Sequence, residues 1–103
     1  MKPLRIAREA LDELSAAAEW YDARRYGLGD RFLGEVQVVA EAIRSRPASF
    51  PQLAETLTDL AIRRALLPRF PYALVFLELQ EEIRIIAAAH TKRDSRYWLD
   101  RLR

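Results

Sequence analysis

The chain has 103 residues, 50% of them hydrophobic and 31% charged, which allows one modest core and excludes a disordered protein. It has no cysteine and one histidine, which excludes disulfides and the usual zinc sites, and we expect neither a metal nor a cofactor. No apolar run is long enough to span a membrane and no signal-peptide region is evident, so we expect a cytoplasmic protein without membrane contact.

The first half of the chain predicts a strand and a helix. Residues 3–7 can form a short strand. A helix is predicted over Arg8–Arg25, because apolar residues recur there every three or four positions. The stripe consists of Leu11, Leu14, Ala18 and Tyr21. The neighbouring carboxylates Asp12 and Glu13 are interpreted as solvated surface, where such residues usually lie.

A second helix is predicted directly after a glycine-containing break. Gly27 and Gly29 interrupt the pattern, and glycine readily adopts the backbone angles of a chain reversal. Asp30 is expected to cap the new helix, which ends before Pro47. Its apolar stripe consists of Leu28, Phe32, Val36, Val39 and Ile43. A break this short predicts an antiparallel helix hairpin, followed by a loop over residues 47–60 with at most one helical turn.

The apolar period changes in the second half, which predicts a strand meander. The expected strands are Ile62–Leu67, Tyr72–Leu79 and Ile83–Ala89. Asp94 or Ser95 is expected to cap a short final helix. This order predicts one α+β domain over residues 1–103. It has an N-terminal strand, an antiparallel helix hairpin packed on a small, mainly antiparallel sheet, and a short C-terminal helix.

Positive charge is concentrated in the second half, although the formal net charge is only +2. Residues 1–60 contain eight Lys or Arg and ten Asp or Glu, whereas residues 61–103 contain nine and five. This asymmetry predicts an anionic partner, either a nucleic acid or an acidic protein segment. A solvated surface without any partner is an equally good interpretation.

The basic and aromatic residues that follow the last strand are the main candidates for chemistry, because strand ends commonly display binding groups. His90 can exchange a proton near neutral pH, Tyr97 can stack on a base, and Arg93 can bind a phosphate with two hydrogen bonds. In the alternative, purely structural interpretation His90 closes the strand and Tyr97 packs on the sheet. For Trp98 we favour packing on the sheet.

Two neighbouring arginines lie in the first strand of the predicted meander. Arg63 and Arg64 should point to opposite faces, because side chains alternate along a strand. Arg64 shares its parity with Ile62, so Arg63 is expected to be the outward or edge-facing residue. A salt bridge from Arg63 to the acidic helix hairpin is the structural alternative.

Several segments, in this order, resemble the RelE/ParE superfamily of bacterial toxins from type II toxin–antitoxin modules. They are Ala10–Leu14 with Trp20-Tyr21, Phe32 with Ile43 and Pro47–Pro51, Arg63-Arg64, Phe70–Tyr72, and His90–Trp98. The resemblance covers nearly the whole chain and implies a helix hairpin against a small antiparallel sheet. It also implies a toxin that a cognate antitoxin holds inactive, and the two proteins can form a hetero-oligomer.

The family resemblance implies two different targets. ParE-like members poison DNA gyrase, whereas RelE-like members cut mRNA on the ribosome with basic residues and often a C-terminal tyrosine. The chain has only two lysines, Lys2 and Lys92, which disfavours a grip on RNA phosphates. The ending from Arg93-Asp94 through Tyr97-Trp98 to Arg101 is similar to the ParE branch. We therefore expect a gyrase inhibitor of the plasmid-stabilization type. A ribonuclease and an inert or regulatory remnant are the alternatives.

The resemblance also implies candidate site residues. If the chain is a ribonuclease, the catalytic residues are expected to be Arg63, His90, Arg93 and Tyr97. The residues expected to bind the target or the antitoxin are Trp20, Leu28, Arg63, Lys92, Arg93, Arg96, Trp98 and Arg101. Among these, Trp20 and Leu28 are expected to be exposed apolar residues of the hairpin, and the basic tail is expected to pair with acidic side chains of the antitoxin.

Overall fold

The computed structural model describes residues 1–53, 61–94 and 96–102. In this part of the chain the elements are β1 (Leu4–Ile6), α1 (Arg8–Arg24), α2 (Leu28–Ser45), a 3₁₀ turn (Pro47–Ser49), β2 (Ile62–Leu66), β3 (Tyr72–Glu78), β4 (Ile83–His90) and a C-terminal 3₁₀ helix (Tyr97–Leu102). The predicted α+β class and the order of its elements are confirmed. The predicted loop beyond residue 53 and the cap at Ser95 lie outside the described residues.

The four strands form one sheet in the order β1-β4-β3-β2. β1 runs parallel to β4, and the other neighbouring pairs are antiparallel. β4 is therefore central, and nearly all its residues are buried because both faces of the sheet are covered. No helix in the described ranges is long and apolar enough to cross a membrane.

The helix hairpin covers one face of the sheet. Its core includes Phe32 and Ile43 from α2, together with Leu74, Phe76 and Ile85 from the strands. The other face carries a smaller core. There Trp98 packs with Val75, Leu77 and Ile86, which confirms the structural interpretation of this tryptophan.

The buried stripe of α1 is rotated from the predicted one. Ala10, Leu14, Ala17 and Ala18 are buried, whereas Leu11 is 46% exposed. Successive helical side chains differ in direction by about 100°, so burying Ala10 turns Leu11 away from the sheet. The three alanines leave room for α1 to lie close against β4. Hydrophobicity alone predicts that Leu11 is buried in preference to alanine, because it takes no account of how closely the helix can approach the sheet.

The cap predicted at Asp30 is wrong, because α2 begins earlier. Gly27 precedes the helix with a φ of 87°, in the left-handed region that glycine tolerates. The reversal is thereby completed at Gly27, and Asp30 lies inside the first turn. The backbone N–H of Gly29 donates instead to Oδ1 of Asp22 at 2.7 Å. An aspartate at the end of α1 thus supplies the capping acceptor of α2.

We expect Asp22→Ala to lower the free energy of unfolding by about 1 kcal/mol, the usual effect of losing a capping side chain. The matched variant is Asp30→Ala, which removes the cap that the sequence predicted and should cost less. Urea denaturation of the two purified variants measures the difference. A larger loss in Asp30→Ala would contradict this assignment of the cap.

Candidate functional site

The candidate site lies where β4 extends beyond its short neighbour β1. The parallel pairing ends at Ile6 and Ile85, and β4 continues to His90. Beyond this point, side chains instead of a neighbouring strand form hydrogen bonds with the backbone N–H and C=O groups at the edge of β4. The N–H of Ala88 donates to Oε1 of Glu13 at 2.9 Å, and the carbonyl of Ile86 accepts from Nη1 of Arg101 at 2.9 Å. This edge of β4 is therefore covered by α1 and by the C-terminal segment.

Glu13 is the centre of this contact. Arg101 donates to both of its carboxylate oxygens, from Nη1 at 2.9 Å and from Nη2 at 3.1 Å. The hydroxyl of Tyr97 donates to Oε2 at 2.5 Å, and Nη1 of Arg93 lies 3.7 Å from the same oxygen. The Glu13 side chain is only 16% exposed. The interpretation of Glu13 as solvated surface is therefore wrong, because the unpaired edge of β4 requires an acceptor at this position.

Sequence reasoning missed Glu13, although a signal was present. Glu13 follows Ala10 by three residues and precedes Ala17 by four, so it shares their face of α1. Both alanines are fully or nearly fully buried. A carboxylate on a stripe of small buried residues indicates a paired group rather than a surface group, because an unpaired buried charge is costly.

This contact determines the protonation of Glu13 and of Tyr97. Burial raises the pKa of Glu13, but hydrogen bonds from Arg101, Tyr97 and the Ala88 N–H outweigh this effect and lower it. Burial raises the pKa of Tyr97 well above its ordinary value, and the hydrogen bond to the negative Glu13 raises it further. Tyr97 is therefore a protonated donor near neutral pH. In this arrangement it is unsuited to act as a general base.

An open groove of about 710 Å³ adjoins this contact, between α1 and the end of β4. Its apolar wall includes Ala16, Ala17 and Trp20, and His90 and Arg93 line it on the sheet side. Trp20 is 54% exposed, as predicted, and the guanidinium of Arg24 lies 3.5 Å from the centre of its ring. We call this feature the α1–β4 groove. It offers apolar contact area beside positive charge.

His90 closes β4 and takes part in a local turn. Its Nδ1 accepts the backbone N–H of Lys92 at 3.1 Å. The ring lies 5.2 Å from that of Tyr72, edge to face. These contacts agree with the structural interpretation of His90, while the residue still lines the α1–β4 groove.

The structure brings some of the predicted site residues together. Trp20, His90 and Arg93 line the α1–β4 groove, and Arg93 stacks on the ring of Tyr97 at 3.6 Å. Lys92 and Arg96 are exposed on the same segment. Tyr97 contacts Glu13 beside the groove, as does Arg101, which is therefore a structural ion-pair partner.

Three of the predicted residues lie elsewhere. Arg63 is in β2, two strand spacings or roughly 10 Å from β4, and its Nη1 donates to the carbonyl of Phe50 at 2.6 Å. It does not join His90, Arg93 and Tyr97 in one catalytic cluster. Leu28 is half-buried rather than exposed, and lines a second groove beside Phe70. Trp98 is 2% exposed and offers no surface for a partner.

Comparison with known proteins identifies the fold. A chain of the chromosomal ParDE toxin–antitoxin system from P. aeruginosa is similar, with a TM-score of 0.66 and 21% sequence identity over 89% of this chain and 98% of that chain. This chain has the fold of a ParDE-system protein. No protein-family model and no curated protein sequence match it. The fold that the resemblance implied, a helix hairpin against a small sheet, is thereby confirmed.

The site on this ParDE-type fold has the properties of a binding surface. It combines an exposed tryptophan, small apolar residues and a cationic end, which suits an amphipathic protein segment with an acidic group. Its tyrosine is occupied as a hydrogen-bond donor, and its carboxylate is occupied by arginines. No three His, Cys, Asp or Glu residues within the described ranges are arranged to bind a metal ion.

Proposed function

We propose that the chain is the toxin of a type II toxin–antitoxin system and that it inhibits DNA gyrase by protein contact, as ParE-like toxins do. The observation that carries this proposal is the similarity of fold to a chain of a ParDE toxin–antitoxin system, over nearly the full length of both chains. The ParE-like ending of the sequence, from Arg93 to Arg101, points in the same direction.

The geometry of the tail favours this proposal over a ribosome-dependent ribonuclease. An acid–base nuclease needs a group that can take a proton from the ribose hydroxyl. Tyr97 has a raised pKa and already donates to Glu13, and Arg63 is held at Phe50. Only His90 and Arg93 of the four expected catalytic residues remain available in the groove. No observation favours an inert remnant.

A cognate antitoxin, encoded beside the toxin, completes the proposal. The toxin acts in the cytoplasm, where gyrase and newly made antitoxin are both present. The antitoxin neutralises it by forming a hetero-oligomer. The α1–β4 groove supports a protein partner, because Trp20 offers a large apolar contact and Arg93 a nearby positive charge. An acidic antitoxin side chain is the complementary group.

Production of the isolated chain in a bacterium tests the target. We expect growth arrest together with loss of negative plasmid supercoiling or gyrase-linked DNA breaks, while transcripts stay intact. Primer extension on mRNA from the same cells is the parallel measurement. Codon-phased cuts that disappear in Tyr97→Phe and Arg93→Ala would establish the ribonuclease instead. The absence of any effect on growth would leave the remnant as the better interpretation.

Co-purification with the product of the neighbouring gene tests the partner. We expect Trp20→Ala to weaken the complex by at least about tenfold, because an exposed tryptophan in a groove is a typical interface hot spot. The matched control is Tyr26→Ala, which removes an aromatic residue that is 99% exposed and does not line the groove. Equal binding of the two variants, measured by titration calorimetry, would contradict a role for the groove in that complex.

A further inference from the structure

A second, wider groove lies between α2 and the turn of residues 67–71, which follows the C-terminal end of β2 and joins it to β3. It measures about 870 Å³. We call it the α2–turn groove, and its main lining residues are Leu28, Arg31 and Val38 of α2 and Pro68, Arg69 and Phe70 of the turn. Tyr21 and Pro71 line both this groove and the α1–β4 groove. The two grooves therefore meet and form one continuous surface.

The turn is held firmly against the helices. The backbone N–H of Arg69 donates to Oε2 of Glu35 in α2 at 3.0 Å. The ring of Phe70 packs edge to face on two aromatic rings of the hairpin, with centre-to-centre distances of 4.9 Å to Tyr21 and 5.3 Å to Phe32. The α2–turn groove is thus already formed in the free protein, which reduces the entropy lost when a partner binds.

Val38 gives this groove an apolar area that is exposed to water. Its side chain is 70% exposed within α2, and a β-branched residue is a weaker helix former than a straight-chain one. A single exposed apolar residue is common on protein surfaces. Val38, however, lines the groove together with Leu28, Phe70, Pro68 and Pro71. This grouping indicates a surface that a partner covers rather than one isolated side chain.

The charge in the α2–turn groove is mainly positive. Arg31 and Arg69 are exposed there, and no ion pair to either guanidinium is found within residues 1–53, 61–94 and 96–102. Glu35 also lines the groove, but its Oε2 already accepts the backbone N–H of Arg69. In the α1–β4 groove the exposed cation is Arg93. An apolar segment with an acidic side chain at each end complements the two grooves together.

We propose that one segment of the cognate antitoxin occupies both grooves and crosses from one to the other over Pro71. Its apolar side chains cover Trp20 and Val38, and its acidic side chains lie near the cations of the two grooves, including Arg31 and Arg69. This inference rests on the proposed function, which supplies the partner. The antitoxin is chosen over the gyrase target because the α2–turn groove is continuous with the groove assigned to the antitoxin.

The test is titration calorimetry of full-length variants with the purified product of the neighbouring gene. We expect Val38→Asp and Arg69→Glu each to weaken the complex at least about tenfold, because each places a negative charge against an acidic segment. The matched controls are Gln37→Asp and Arg5→Glu. They change the charge equally at exposed positions that line neither groove, and they should bind like the wild type.

Salt separates a lost contact from a damaged fold. Val38 and Arg69 are both exposed, so the two variants should fold, and thermal denaturation checks this. The loss of affinity in Arg69→Glu should shrink as the salt concentration is raised, because exposed charges are then screened. A loss that is independent of salt would contradict the assigned ionic contact at Arg69.

The outcomes distinguish this inference from the proposed function. Wild-type affinity in Val38→Asp and Arg69→Glu, while Trp20→Ala weakens the complex, would overturn the inference and leave the proposed function intact. Loss of toxicity in Val38→Asp with unchanged antitoxin affinity would assign the groove to the target and would also overturn it. If the wild type forms no complex, the inference and the antitoxin part of the proposed function both fail, whereas the supercoiling measurement still decides gyrase inhibition.

Discussion

Glu13→Ala is expected to lower the free energy of unfolding by about 2–3 kcal/mol, a large loss for a domain of this size. The substitution removes the acceptor of three groups at once, namely the Arg101 guanidinium, the Tyr97 hydroxyl and the Ala88 N–H. Arg101 would then remain half-buried without its carboxylate. The C-terminal 3₁₀ helix would lose its polar attachment to α1. Urea denaturation near neutral pH measures this loss.

The neighbouring Asp12 provides the matched control for Glu13. Asp12 is exposed and forms an ion pair with Arg8 at 3.7 Å, four residues before it on the same helix. Exposed pairs of this kind contribute little, so Asp12→Ala should cost no more than about 0.5 kcal/mol. A similar loss in both variants would show that Glu13 acts only as a surface charge.

The stability that Glu13 supplies should also depend on pH. The pKa of Glu13 is lowered in the folded protein, so its contribution is fully present above the ordinary carboxyl value of 4.5. It is lost as the pH falls through the lower folded-state pKa. The gap in unfolding free energy between the wild type and Glu13→Gln should therefore narrow below pH 4.5. A gap that stays constant in acid would contradict the charged form of this contact.

Gly29→Ala is expected to destabilise the protein by about 2–3 kcal/mol, because the added methyl group has no space. A Cβ at this position would collide with the backbone carbonyl of Ala18 and would lie 2.8 Å from Cγ of Asp22. A backbone atom cannot move aside as a flexible side chain can. The two helices would have to separate, and the Gly29 N–H would lose its bond to Asp22.

Gly34 in the same helix provides a control of opposite sign. A Cβ built there meets no atom within 4 Å, so Gly34→Ala only replaces a poor helix former by a good one. We expect it to raise the free energy of unfolding by about 0.5–1 kcal/mol. Thermal and urea denaturation of both variants would test the pair. Changes of the same sign would contradict close packing of the hairpin at Gly29.

Most bounds of the elements, with the exception of the start of α2, could be predicted because they depend on local patterns. The three-to-four spacing of apolar residues marked both helices, and the apolar run of Ile83–Ala89 marked the central strand, which extends one residue further to His90. The position of Trp98 in the core followed from its size and apolar character. In each case the information lies within a few residues of the chain.

The centre of the candidate site could not be predicted in this way. The role of Glu13 exists only because β1 ends at Ile6 and leaves part of β4 without a strand partner. Its partners Ala88 and Arg101 are 75 and 88 positions away along the chain. The faces of Arg63 and Arg64 likewise depend on the register with β3. Such relations are properties of the tertiary structure and leave no periodic signal in a single segment.

The distance between Glu13 and Arg101 along the chain also bears on when the protein becomes native during its synthesis. The ion pair closes a loop that contains almost the whole domain, and the central strand β4 lies in the last quarter of the domain's sequence. Contacts of such long sequence separation slow folding, because chain entropy is lost before they form. A growing chain cannot complete them while Arg101 is still inside the ribosome. The hairpin can form early, but the groove beside β4 is assembled only after the segment that carries Arg101 has left the ribosome, so any partner that recognises the groove meets a domain whose sheet is already complete.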